Sequence, residues 1–235
     1  MTEKLAILWP EIFLFIATCL VMLTGQWPSR AIRAFTPWIC AIALFAAFGA
    51  AMSSPGTDGM FPHIVPYAKM LIASVGLLIL LLLAGTVDRQ LEAEVDAGKP
   101  FSSIRSNRGE FYAFFMFSLT GLMLTASADD LIWLFLSLEL TSLPTYIMVA
   151  ISTERKKSLE AAVKYFFLGA LGAAIFLYGF ALIYGATGTT NLSEIATVFA
   201  TQSAHGGISS IGMLGLLIAI IGIAFKIAAV PMHFY

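Results

Sequence analysis

The sequence predicts an all-α, polytopic transmembrane helix bundle of about seven spans, and three observations predict it. Of its 235 residues, 59% are hydrophobic and only 11% charged, with mean hydropathy +0.89. A soluble domain carries about a quarter charged residues to cover its water-facing surface, so lipid is the solvent this composition suits. The apolar residues also fall into runs near the ~20 residues a helix needs to cross the hydrocarbon core. Finally, the basic residues avoid every second connection between those runs. The formal net charge of -1 gives no basic surface for nucleic acid.

The runs are Leu5–Gly25, Ala34–Met52, Val65–Val87, Phe111–Ala128, Leu131–Ala150, Tyr165–Gly185 and Ile211–Tyr235. They must be helices, because lipid leaves no partner for an unpaired backbone N–H or C=O. The first run reads as a retained anchor: Glu11 interrupts it and no small-residue cleavage pattern follows Gly25. The fourth and fifth are joined by little more than Asp129 and Asp130, which makes them an antiparallel hairpin. Residues 88–109 are polar and have room for a short surface helix. Between the sixth and seventh spans, Leu192, Ile195, Ala196 and Phe199 recur at helical spacing and suggest an interfacial helix.

Nine of the 13 Lys and Arg residues occupy three connections: Arg30 and Arg33; Arg89, Lys99, Arg105 and Arg108; Arg155, Lys156 and Lys157. These follow the first, third and fifth spans. The connections after the second, fourth and sixth contain no Lys or Arg. The positive-inside rule therefore predicts cytoplasmic basic loops and an outside N-terminus. Cys19 and Cys40 lie within apolar runs with no CxxC or Cys/His cluster, so they predict neither a disulfide framework nor a metal centre.

Charges within the spans are the candidate functional residues, since an ionisable group at bilayer depth costs ~2.5–3.5 kcal/mol or more on insertion scales. Glu139 lies ~13 Å into the fifth span, too deep for a short carboxylate to reach water. Lys226 lies well inside the seventh. As a pair they either fix helix packing or relay protons, a Lys beside a movable carboxylate being a switchable proton site. Depth favours the relay. Pro144 and Pro231 each follow one of these charges by five residues, and each frees a carbonyl, of Leu140 and Ile227. Broken helices of that kind line hydrated cavities in transporters.

Lys164 has Glu160 four residues earlier, an order suited to an intrahelical ion pair, so a structural role and a relay role stay equally open. His233, two residues after Pro231, is either a packing residue or a proton carrier. Lys69 is expected near the outer end of its span, snorkelling and structural. Glu11 follows Pro10 in the first turns of its span and is expected to stabilise a helix start. No nucleotide loop, HExxH zinc motif, nucleophile elbow or haem-spaced histidine pair is present, so redox and hydrolytic chemistry have no apparatus.

The run from Glu110 to Ala150, with Leu138–Pro144 reading LELTSLP, resembles the antiporter-like membrane subunits of bacterial respiratory complex I, subunit N in particular. The resemblance continues through Ser158–Ile195 and ends with Phe225–His233, FKIAAVPMH. It is strong over residues 105–235; the first three spans match in number and hydropathy. It implies a three-helix segment with a cytoplasmic loop over 1–105, and a proton-translocating antiporter-like repeat with a discontinuous seventh helix over 106–235.

The resemblance further implies that Glu139 is the channel glutamate, Lys226 and Lys164 the seventh- and sixth-helix lysines, and His233 the histidine after the break. No cofactor is implied in this chain. NADH, FMN, iron–sulfur clusters and quinone belong to other subunits of the parent complex, and the partners are its other membrane subunits and the lipid bilayer. The family continues past Tyr235 with a second repeat, so an N-terminal piece is expected. The alternatives are a subunit of a multisubunit cation/proton antiporter and a non-pumping membrane scaffold.

Overall fold

The computed structural model describes residues 2–54, 63–98, 100, 106–152 and 156–230. Lys99, Arg105, Arg155, Pro231 and His233 lie outside the described residues, and the expected boundary between residues 105 and 106 adjoins them. Ten helices are present among those described: α1 (Thr2–Gly25), α2 (Arg30–Ala34), α3 (Thr36–Met52), α4 (Ile64–Leu83), α5 (Arg89–Asp96), α6 (Arg108–Ala126), α7 (Leu131–Ile151), α8 (Lys156–Thr187), α9 (Leu192–Ala204) and α10 (Ser210–Lys226). Six helical segments are long and apolar enough to cross a membrane, and α10 is a shorter apolar helix.

Two predicted C-terminal ends differ clearly from the observed ones, and the sixth span, expected from Tyr165, begins earlier, at Lys156. The third span stops at Leu83, because Ala84 turns extended (ψ 118°) and Gly85 takes φ 86°. The seventh, expected to run to Tyr235, stops at Lys226. The helices foreseen in the polar loop and between the last two spans are α5 and α9. Ile195 and Phe199 of α9 are buried against the bundle. At 32 residues α8 is ~48 Å long, more than the ~30 Å hydrocarbon core. Its first nine residues hold Lys156, Lys157, Glu160 and Lys164, polar enough to project beyond that core.

Successive spans pack side by side, α1 on α3, α3 on α4, α6 on α7, α7 on α8 and α8 on α10, and α1 also packs on the distant α6. Two cores result. One gathers Leu14, Leu44, Ile72, Tyr112 and Met116 from α1, α3, α4 and α6; the other gathers Leu131, Phe176, Phe180, Phe199 and Ala219 from α7–α10. Outward faces carry large apolar side chains such as Leu23, Trp38, Phe45 and Leu82, as a helix in lipid requires. Cys40 is buried and Cys19 exposed, both as free thiols.

The α6–α7 turn is locked to the α8–α9 turn. Asp130 and Asn191 pair in an antiparallel bridge, flanked by Leu131 N–H donating to Thr190 O (2.9 Å) and Leu192 N–H to Asp129 O (3.0 Å). Asp130 caps α7 by accepting from the amides of Ile132 (2.8 Å) and Trp133 (3.3 Å), and its other oxygen accepts from the Thr190 hydroxyl. Burial alone would raise this carboxyl; the Thr190 hydroxyl and the two amides outweigh it and hold the pKa below the ordinary value. A depressed carboxyl contributes stability above its unfolded pKa and loses it as pH falls through the folded one. Acid titration of thermal stability is therefore expected to show a falling limb below about pH 4, the ordinary aspartate range. Asp130→Asn keeps the cap and is expected to flatten that limb; an unchanged limb would refute the assignment.

The candidate proton-relay site

Glu139 and Lys226 meet where α7 and α10 converge against α8. Lys226 Nζ lies 2.7 Å from Glu139 Oε1, and the two side chains are 8% and 19% exposed. Shielded from water to this degree, neither charge is tolerable without the other. Lys226 Nζ also donates to Ser142 Oγ at 2.8 Å and stands 5.9 Å from the Phe176 ring centroid. Ser142 Oγ in turn donates to Leu138 O at 2.8 Å. The ammonium thus has a carboxylate, a hydroxyl and an aromatic face around it.

Spacing explains the assembly. Ser142 is three residues after Glu139, so both project from one face of α7. Sequence reasoning named Glu139 and passed over Ser142, although this i,i+3 spacing was available to find it. Phe176, on α8, had no local signal. Lys226 is brought in by the tight seam between α8 and α10. A Cβ on Gly222 would stand 2.4 Å from Phe176 N, and one on Gly179 would stand 2.4 Å from Ala219 N. Only bare glycines let the two backbones come so close.

The end of α10 lies immediately after Lys226. Ala229 N–H bonds Ala224 O (2.9 Å) and Ala228 N–H bonds Phe225 O (3.1 Å), a Schellman cap with Ala228 at φ 51°. That position normally takes glycine, since a Cβ costs ~1–2 kcal/mol in the left-handed region. The helix therefore ends through this cap, five residues before the proline expected to break it. Ala228→Gly is expected to stabilise the chain by about 1 kcal/mol in a thermal or denaturant titration in lipid. A loss of stability would mean that the cap is not formed.

The other candidates fare differently. The helix break expected at Pro144 is absent: α7 runs through Pro144 to Ile151. Pro144 gives no N–H to Leu140 O, but the neighbouring Thr141 O accepts from Ser118 Oγ of α6 (2.9 Å), and Thr145 Oγ1 donates to Ser142 O (2.7 Å). Lys164 is not brought to Glu139 and Lys226. It pairs with Glu160, the two side chains being 68% and 64% exposed.

Lys69 departs most from expectation. It does not snorkel; it is fully buried, 2.7 Å from Glu11 Oε1 and donating to Ile7 O at 2.7 Å. The Glu11 carboxylate and a carbonyl of α1 supply inside the bundle what water would supply outside it.

The family model described as "NADH:quinone oxidoreductase/Mrp antiporter, TM" matches residues 128–235, which include both members of the Glu139–Lys226 pair. Subunit N of NADH-quinone oxidoreductase from Trichlorobacter lovleyi is 33% identical over 235 residues, covering 100% of this chain. Along its whole length the chain is similar to NADH-quinone oxidoreductase subunit N. The subunit N of Alkalilimnicola ehrlichii is 44% identical over 126 residues, 54% of the chain and 25% of that protein. Among solved structures, a chain of respiratory complex I from Thermus thermophilus superposes with TM-score 0.69 at 28% identity, covering 96% of this chain and 45% of that one. The T. lovleyi subunit N is matched over 46% of its length, so this chain spans less than half the length of these relatives.

Proposed function

We propose that this chain forms part of a proton-translocating membrane subunit of an NADH:quinone oxidoreductase, with Glu139 and Lys226 as its proton relay. The observation that carries the reading is the shielded 2.7 Å ion pair between two helices, one of which ends at the lysine. Charge moves when the pair changes. While Glu139 contacts Lys226, the ammonium is stabilised; withdrawing the carboxylate leaves Lys226 with Ser142 and Phe176 and favours release of its proton. Lys164 and His233 are the proposed neighbours in the relay. The exposed Lys164 is placed to exchange with parts of the assembly beyond this chain.

In this reading the basic loops are cytoplasmic, the N-terminus is outside, and the membrane is the cell inner membrane. The partners are the other membrane subunits. NADH, FMN, iron–sulfur clusters and quinone act in other subunits, and energy reaches this one through conformation and electrostatics.

The test is proton translocation by the assembled complex in vesicles, measured with NADH:quinone electron transfer. Glu139→Gln is expected to lower protons moved per electron pair while assembly persists. An unchanged ratio would favour the scaffold. Since the matching family model also takes in Mrp antiporters, the assay is repeated with a sodium gradient; movement driven by sodium without NADH would favour a cation/proton antiporter.

A further inference from the structure

The chain contains a second buried Glu–Lys pair, built like the first and outside the residues the family model matches. Glu11 of α1 and Lys69 of α4 stand 2.7 Å apart with side chains 5% and 0% exposed. As at Lys226, the lysine makes one further bond to a neutral acceptor, here Ile7 O. A proline is again close by: Pro10 has no N–H for the carbonyl of Ala6, which loosens the turn that Lys69 enters.

Two features separate this pair from a packing clamp. Glu11 Oε2 is buried and has no hydrogen-bond partner among the described residues. A fixed carboxylate in an apolar interior is expected to have donors at both oxygens, because an unmet one is costly. An unmet oxygen is where a proton adds. Among the described side chains the pair is also electrically isolated. α3 carries no charged side chain, and its one ionisable group, Cys40, is a buried thiol packed with Tyr112.

The ionisable groups of α6 are Arg108, Glu110 and Tyr112 at its start. That start lies against the far end of α1, where Gln26 bonds Glu110 and a Cβ on Gly25 would meet Gly109. On α4 itself, Tyr67 is exposed and His63 is an exposed cap residue. On α1 there remain Glu3 and Lys4 in the first turn and the exposed thiol of Cys19.

We infer that Glu11 and Lys69 form a second proton-binding site, in the N-terminal helices, which takes its proton at Glu11 Oε2. An O–H bond forms there with a proton supplied by water at the N-terminal end of α1. The carboxylate becomes a neutral acid, and Lys69 keeps its bonds to Oε1 and Ile7 O. The site passes from neutral to singly positive without moving a helix. Ionisable residues paired within transmembrane segments mark proton relays in pumps and transporters.

The test is infrared spectroscopy of the full chain in lipid vesicles, following the C=O band of protonated carboxylic acids with pH. It is run on the wild type and on Glu139→Gln, so the result stands apart from the relay proposed above. Expected is a pH-dependent acid band in both that Glu11→Gln removes. If that variant does not fold, Glu11→Asp is expected to shift the band instead. A band untouched by substitution at Glu11, or no such band at any pH, would overturn the site and leave Glu11–Lys69 a permanent ion pair.

Discussion

Glu139→Gln and Lys226→Met, made singly, are each expected to destabilise the chain by about 3–5 kcal/mol, and the double substitution by clearly less than their sum. Each single change strands one buried charge. In Glu139→Gln the ammonium keeps Ser142 Oγ at 2.8 Å and the Phe176 ring, contacts too weak to replace a carboxylate. In Lys226→Met the carboxylate is left 19% exposed, with poor access to water. Removing both charges leaves two neutral groups of similar size, and such replacements of buried ion pairs are often close to neutral. The measurement is unfolding of the chain in mixed lipid–detergent micelles across the four-member cycle. Additive effects would show that the two side chains do not interact. Translocation separates the roles further: the double variant is expected to regain stability and to remain without proton movement. A structural clamp would regain both.

How far the sequence reveals this site depends on whether the deciding information is local. The α6–α7 hairpin was legible at Asp129 and Asp130 because a short connection is a relation between neighbours in the chain. Glu139 and Lys226 were legible from depth, since a charge that far into an apolar run requires a partner. Lys69 was misjudged by the same rule. Its short distance from the end of the span suggested an escape to water, whereas Glu11, 58 positions away in the sequence, held it inside. The end of α10 was hidden for a different reason. A glycine at position 228 would have announced a left-handed cap, and alanine there looks like ordinary helix. Pro144 was read as a break because a proline's lost hydrogen bond is local, but the packing of α7 between α6 and α8, which holds the helix on either side of it, is not.

Gly222→Ala is expected to cost about 1–3 kcal/mol of stability, as over-packing does, and to reduce translocation about a hundredfold. One added methyl has this reach because of what it meets. Its Cβ would stand 2.4 Å from Phe176 N and 2.7 Å from Phe176 Cα, where ordinary contact begins at 3.4 Å. Backbone atoms in mid-helix have no rotamer by which to yield, so α10 must move off α8 by roughly 1 Å, a misplacement that costs about a hundredfold where reacting groups must align. Gly222 lies one turn before Lys226 on the same face, so the displacement carries the ammonium with it. Gly49→Ala is the matching control: nothing lies within 4 Å of its Cβ. An alanine inside α3 there is expected to stabilise by about 0.5–1 kcal/mol and leave translocation unaltered. Equal translocation in the two variants would mean that the α8–α10 seam does not set the position of Lys226. A selective loss in Gly222→Ala ties proton movement to the spacing of two helices, the coordinate through which a distant redox reaction would act.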